Sequence, residues 1–134
     1  MDEIIQAIKA KTSFKEVSIT AFAPSDQWSD QIAKKLGDKM KTTQLRKFFT
    51  SIKLMEQKTK GKDKTEIFND TSLYMLLPYL AYAQARKLVT LEFYKLVKVI
   101  IGDGTNGKIK TVEDFQRFVE FMTAIVAYHK QYSK

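Results

Sequence analysis

The chain has 134 residues, 44 % of them apolar or aromatic and 28 % charged, which is the composition of one folded domain rather than of a disordered segment. It has no cysteine and one histidine, His129, so disulfides, thiolate sites, cysteine nucleophiles and multi-histidine metal cages are excluded, and neither metal nor cofactor is expected. The net charge of +8 is concentrated between Lys34 and Lys64, where eleven Lys or Arg stand against three acids and the remainder of the chain balances to zero.

In chain order, Asp2 to Lys11 reads as a short amphipathic helix through Ile4, Ile5 and Ile8. Thr12 to Pro24 follows, where Val17, Ile19 and Ala21 alternate; this stretch is predicted to be an extended arm or linker, a kind of segment that permits swapped dimers. Ser25 is positioned to cap a helix bearing Trp28, Ile32 and Leu36, which stops at Gly37 in a left-handed C-cap. Thr42 or Thr43 caps a long helix in which Leu45, Phe48, Phe49, Ile52 and Met55 form one buried stripe. Arg46, Thr50, Lys53, Gln57 and Lys60 share another face of that helix, so core and cation are separated.

The run KTKGKDK around Gly61 reads as a mobile basic loop. A helical stretch from Glu66 to Lys87 contains Pro78, which removes a backbone donor and is predicted to kink or divide the helix near Leu77. Leu73 to Ala83 is apolar all round and is expected to be buried, delivering Arg86 and Lys87 at its exit. Leu88 to Ile101 is dense in apolar residues, but Glu92, Lys95 and Lys98 repeat every three positions, so the segment reads as helix, started by Thr90. In the last helix Thr111 and Asp114 form a capping box, and Phe115, Phe118, Val119, Met122, Ile125, Val126 and His129 trace the core stripe. Phe121, Ala124, Tyr128 and Tyr132 make a second stripe, wider than one core contact needs, and read as a partner surface. The whole is an all-α, compact single-domain bundle of five to six helices with short loops, spanning residues 1–134.

The motifs with chemical precedent resolve to structural roles. Gly102 to Gly107, GDGTNG, matches a dinucleotide-loop pattern, yet what precedes it reads as helix rather than strand. Aligned as a calcium loop, the same segment puts Gly102 and Gly104 where carboxylates belong. His129 sits on the core stripe with no arginine at the spacing that helical RNases of the HEPN type require, so no enzyme activity is expected. TTQLRKFFTSIK divides basic from apolar like a membrane-surface or calmodulin-target helix, but its phenylalanines are needed in the core.

A localised basic patch attracts polyanions. Lys41, Arg46, Lys47 and Lys53 are the expected phosphate contacts, and with few exposed aromatics in view the binding is expected to be independent of sequence. An acidic amino terminus, Met1-Asp2-Glu3, and the lack of an apolar run of about 18 residues point to a soluble, cytoplasmic protein that does not enter a membrane. The competing readings are a helical DNA-binding domain and an adaptor that docks an acidic protein.

Three blocks carry a resemblance: TTQLRKFF at 42–49, LPYLAYAQAR at 77–86 and FVEFMTAIVAYHKQY at 118–132. In this order they resemble the small subunit of the Csm complex, the type III-A CRISPR effector. The resemblance implies an all-helical, non-enzymatic subunit, present in several copies, lying against the backbone subunits and near the large subunit. Its basic surface would face the guide and target RNA duplex, or a single strand of it, and steady the bound target strand without reading sequence, while base pairing does the reading. Carried over by position, Arg46, Lys47 and Arg86 are the implied RNA contacts, with Lys87 beside them and Tyr128, His129 and Lys130 as supporting RNA or subunit contacts. Ala85 stands where the family often has glycine.

Overall fold

The structure, a computed structural model, describes residues 1–133. Seven α-helices occur among them: α1 (Asp2–Lys9), α2 (Ile19–Phe22), α3 (Trp28–Leu36), α4 (Thr42–Gln57), α5 (Ser72–Ala85), α6 (Leu91–Ile101) and α7 (Val112–Tyr132). Two single 3-10 turns, Phe14–Glu16 and Gly37–Lys39, complete the helical structure, and an isolated antiparallel bridge pairs Ile67 with Thr111. The fold is all-α, with more helices than the five to six expected. Among the described residues no helix is long and apolar enough to cross a membrane.

α7 is the axis of the molecule. α2, α3, α4 and the Phe14–Glu16 turn pack around it, while α6 joins α5 to α1. Its stripe is apolar at three- and four-residue spacing, and Phe115, Phe118, Phe121, Met122 and Ile125 are fully buried. The capping box forms as expected: Asp114 N–H donates to Thr111 Oγ1 at 3.3 Å, and Thr111 N–H donates to Asp114 Oδ2 at 3.0 Å. Asp114 also accepts from the N–H of Lys15 at 2.8 Å and of Lys110 at 3.0 Å, so this buried carboxylate ties the amino-terminal segment to the start of α7. Thr90 caps α6, accepting from Phe93 N–H at 3.2 Å.

Residues 12–24 are not an extended arm. The alternation of Val17 and Ala21 mimics a strand, but Phe14, Val17 and Phe22 are the residues that reach the core, one from the 3-10 turn, one from its exit and one from α2. Phe14 meets Phe118 edge-on at 6.1 Å and Phe121 at 5.4 Å, and Phe22 meets Phe121 edge-on at 5.4 Å. The Arg117 guanidinium donates to the Lys15 and Val17 carbonyls, closing the turn onto α7.

The second stripe of α7 is likewise covered by the chain itself. Phe121 is buried among these rings, Tyr128 donates to the Ala23 carbonyl at 2.6 Å, and Tyr132 donates to Asp30 at 2.5 Å. The expected partner surface is therefore the seat of α2 and α3. The Tyr132 phenol, together with the Asp26 N–H at 2.8 Å, holds the Asp30 carboxyl below the usual range, and the Asp30 carboxylate in turn pushes the Tyr132 hydroxyl up.

Several ends differ from expectation. α3 begins at Trp28 behind Gln27, not at Ser25, because Asp26 turns at φ +67° and the Asp30 carboxylate takes its N–H. Gly37 does end α3 at positive φ, but at ψ −128° it lies outside the left-handed helical region and leads into a 3-10 turn. Neither Thr42 nor Thr43 caps α4; Lys41 precedes the helix, and Thr42 Oγ1 instead shares a hydrogen bond with Ser133 Oγ at 3.0 Å. Pro78 lies inside an undivided α5, where it leaves the carbonyl of Tyr74, a partly exposed residue, without its helical donor. The GDGTNG loop joins two helices; a β-carbon on Gly107 would stand 2.3 Å from the Ile101 carbonyl oxygen, so this glycine serves close backbone packing. The basic loop after α4 is anchored at its far side, where Glu113 N–H donates to the Lys64 carbonyl and Val112 N–H to that of Glu66, both at 2.9 Å.

Candidate nucleic-acid interface

α4 and α5 lie side by side and leave a groove of about 840 Å³ between them. α4 turns Leu45, Phe48, Ile52 and Met55 into the core, with Phe48 edge-on against Phe93 of α6 at 5.4 Å, while Phe49 is only partly buried. That anchorage fixes the opposite side of the helix, so Arg46 and Lys47 are presented on rigid backbone rather than on a loop. From α5 come Tyr79 and Tyr82, and Arg86 follows at the helix end; all five of these side chains line the same groove.

α5 is apolar all round but not buried all round. Leu73, Leu76 and Leu80 pack inward, whereas Met75 is 57 %, Tyr79 71 % and Tyr82 65 % exposed. The expectation of a buried helix fails because α4 and α6 cover one side of α5 and no described element covers the other. Met75, Tyr79, Tyr82 and Arg86 fall at i, i+4, i+7 and i+11, a single outward stripe. The Arg86 guanidinium carbon lies 5.6 Å from the centre of the Tyr82 ring. The expectation of few exposed aromatics is thus corrected, and the signal was legible in that spacing: tyrosine is a residue that presents an apolar body and a wet tip.

The charge in the groove is one-signed. No Asp or Glu lines it, and Arg46, Lys47 and Arg86 make no ion pair among the described residues. The other expected contacts lie elsewhere. Lys53 is not in the groove: it pairs with Glu56 at 2.7 Å and lies 6.0 Å from the Phe49 ring centre. Lys41 is exposed ahead of α4, and Lys87 is exposed at φ +63° in the turn after α5; neither lines the groove. In the basic loop, Lys58 faces Asp70 at 3.5 Å.

The AYHK residues do not extend this surface. His129 is 1 % exposed, and its Nε2 lies 2.9 Å from the Gly37 carbonyl oxygen, so its side chain joins α7 to the end of α3 beneath the surface. Tyr128 is half-buried on Ala23, leaving Lys130 as the exposed member of the trio. Among the described residues no group of three His, Asp or Glu side chains gathers in a way that could hold a metal ion.

Fold and groove together define a small all-helical domain that carries a cationic, aromatic, acid-free channel on one pair of helices. A sequence model of the Csm2 Type III-A family matches residues 20–134, and the chain belongs to that family, the small subunits of the type III-A CRISPR effector known as the Csm complex. No curated protein and no solved structure matches the chain.

Proposed function

We propose that this chain is a non-catalytic RNA-holding subunit of the Csm complex, gripping the sugar-phosphate backbone of guide or target RNA through the α4–α5 groove. Its remaining surfaces pack against the backbone and large subunits and against neighbouring copies. The observation that carries the reading is the convergence of Arg46, Lys47 and Arg86, from two helices, on one groove without a carboxylate. Phosphate contacts position a strand but carry no sequence information, which suits a complex in which the guide does the reading.

Because each neutralised phosphate releases counterions, affinity for single strands should fall with salt at a log–log slope of about −0.7 per contact. Three contacts predict a slope near −2. Fluorescence anisotropy with RNA single strands, RNA duplex and DNA duplex of unrelated sequences, repeated across salt concentrations, checks this. Equal affinity across RNA sequences with that slope is expected. A marked preference for one duplex DNA sequence would identify a DNA-binding domain instead, and no binding at low salt would identify a protein-docking adaptor.

A further inference from the structure

We infer that the groove takes an unpaired RNA segment, with its bases stacked on Tyr79 and Tyr82 while its phosphates meet Arg46, Lys47 and Arg86; this rests on the backbone-binding reading and narrows its ligand to single strands. A duplex keeps its base faces inside its own stack and shows a protein only phosphates, hydroxyls and groove edges. Two largely exposed tyrosine rings are of little use against such a surface. They are what an unpaired base needs, because every base has a π-face and stacking on an aromatic ring tolerates any sequence.

The geometry around the rings fits that use. Tyr79 and Tyr82 are three residues apart, so they stand within about 4.5 Å of each other along the helix axis and both are within reach of neighbouring nucleotides of one strand. Neither phenol hydroxyl has a hydrogen-bond partner among the described residues, and neither ring is stacked on another ring, so the Tyr79 ring and the face of Tyr82 turned away from Arg86 are left for a base. Arg86, lying over the Tyr82 ring, places a cation at the edge of the same platform. Charge complementarity selects the occupant: a groove with three unpaired cations and no acid favours a polyanion over an apolar peptide.

The test compares three labelled probes on the full chain: oligouridine, an abasic ribose-phosphate strand of equal length, and a blunt RNA duplex. Oligouridine is expected to bind tightest. Tyr79→Ala with Tyr82→Ala should weaken oligouridine by about 5- to 150-fold per base no longer stacked. The same double variant should leave abasic binding and the salt slope unchanged, and the paired Tyr→Phe variants should retain wild-type affinity. Binding of the abasic strand or the duplex as tightly as oligouridine, with no response to the tyrosine variants, would overturn stacking while leaving the backbone reading intact. Equal loss for oligouridine and abasic strand, or a loss in the Phe variants equal to that in the Ala variants, would also overturn it. If no probe binds at low salt, both readings fall together. Because both rings are largely exposed, the variants are expected to fold, and an unchanged melting temperature verifies it.

Discussion

The triple variant Arg46→Ala, Lys47→Ala, Arg86→Ala is expected to lose RNA affinity roughly 50-fold at about 0.15 M salt and almost none near 1 M. The figure follows from counterion release: a contact with a slope of about −0.7 is worth about fourfold over that span of salt, and three such contacts multiply. The loss should be the same for every RNA sequence, and the log–log slope should flatten by about 2. Thermal stability should barely change, since all three side chains are exposed and free of ion pairs among the described residues. Lys53→Ala is the internal control. Its ammonium is engaged by Glu56 and stands outside the groove, so its effect on RNA should be small, as should its effect on stability, because exposed ion pairs contribute at most about 1 kcal/mol. Anisotropy titrations at several salt concentrations separate these outcomes; a triple variant that binds as the parent does would remove the groove from the account.

The second large effect concerns folding. Phe14→Ala is expected to destabilise the protein by about 3–5 kcal/mol, the usual range for emptying a fully buried phenylalanine site. The ring fills a space walled by Phe118 and Phe121, and its loss would leave a cavity against the longest helix of the molecule. For a chain of this size that corresponds to a fall in melting temperature of roughly 10–20 °C. Chemical denaturation of parent and variant measures it. A change below about 1 kcal/mol would mean that the segment hangs free of the core, as an arm would.

That residue also shows where sequence reasoning reached its limit. The last helix was legible from end to end because Thr111, Asp114 and the phenylalanine stripe act within one element: cap, period and boundary are local properties. α6 was legible for the same reason, since Thr90 and the threefold repeat of Glu92, Lys95 and Lys98 need no neighbour to be read. Residues 12–24 were not, because short stretches carry too few turns for period to discriminate, and what makes Phe14, Val17 and Phe22 helical-turn residues is the α7 surface waiting for them. The second stripe of α7 and the apolar α5 were misjudged in opposite directions for one reason. Width of an apolar face reports how much surface must be covered, not whether the same chain covers it. For α7, Ala23 and Asp30 accept from Tyr128 and Tyr132; for Tyr79 and Tyr82 nothing among the described residues does.

The candidate site followed the same division. Arg46 was visible on the cationic face of its helix, Lys47 as its neighbour in the basic segment, and Arg86 through the resemblance of its block, but that α4 and α5 bring them to a single groove is a tertiary fact. Lys53 shares the Arg46 face in helical projection, yet Glu56 three residues later draws its charge away. His129 was read from its place on the apolar stripe as a structural or contact residue, and its imidazole lies buried against the Gly37 carbonyl.

The most direct test of the account is to map where RNA touches the protein. Ultraviolet cross-linking of the full chain to single-stranded RNA, followed by digestion and mass spectrometry of the adducts, reports the contact residues without any substitution. Adducts should fall in the peptides spanning 43–51 and 76–86, with Tyr79 and Tyr82 as the principal sites. Adducts confined to the lysine-rich loop at 58–64, or to the Tyr128–Lys130 end of α7, would contradict the groove as the RNA interface.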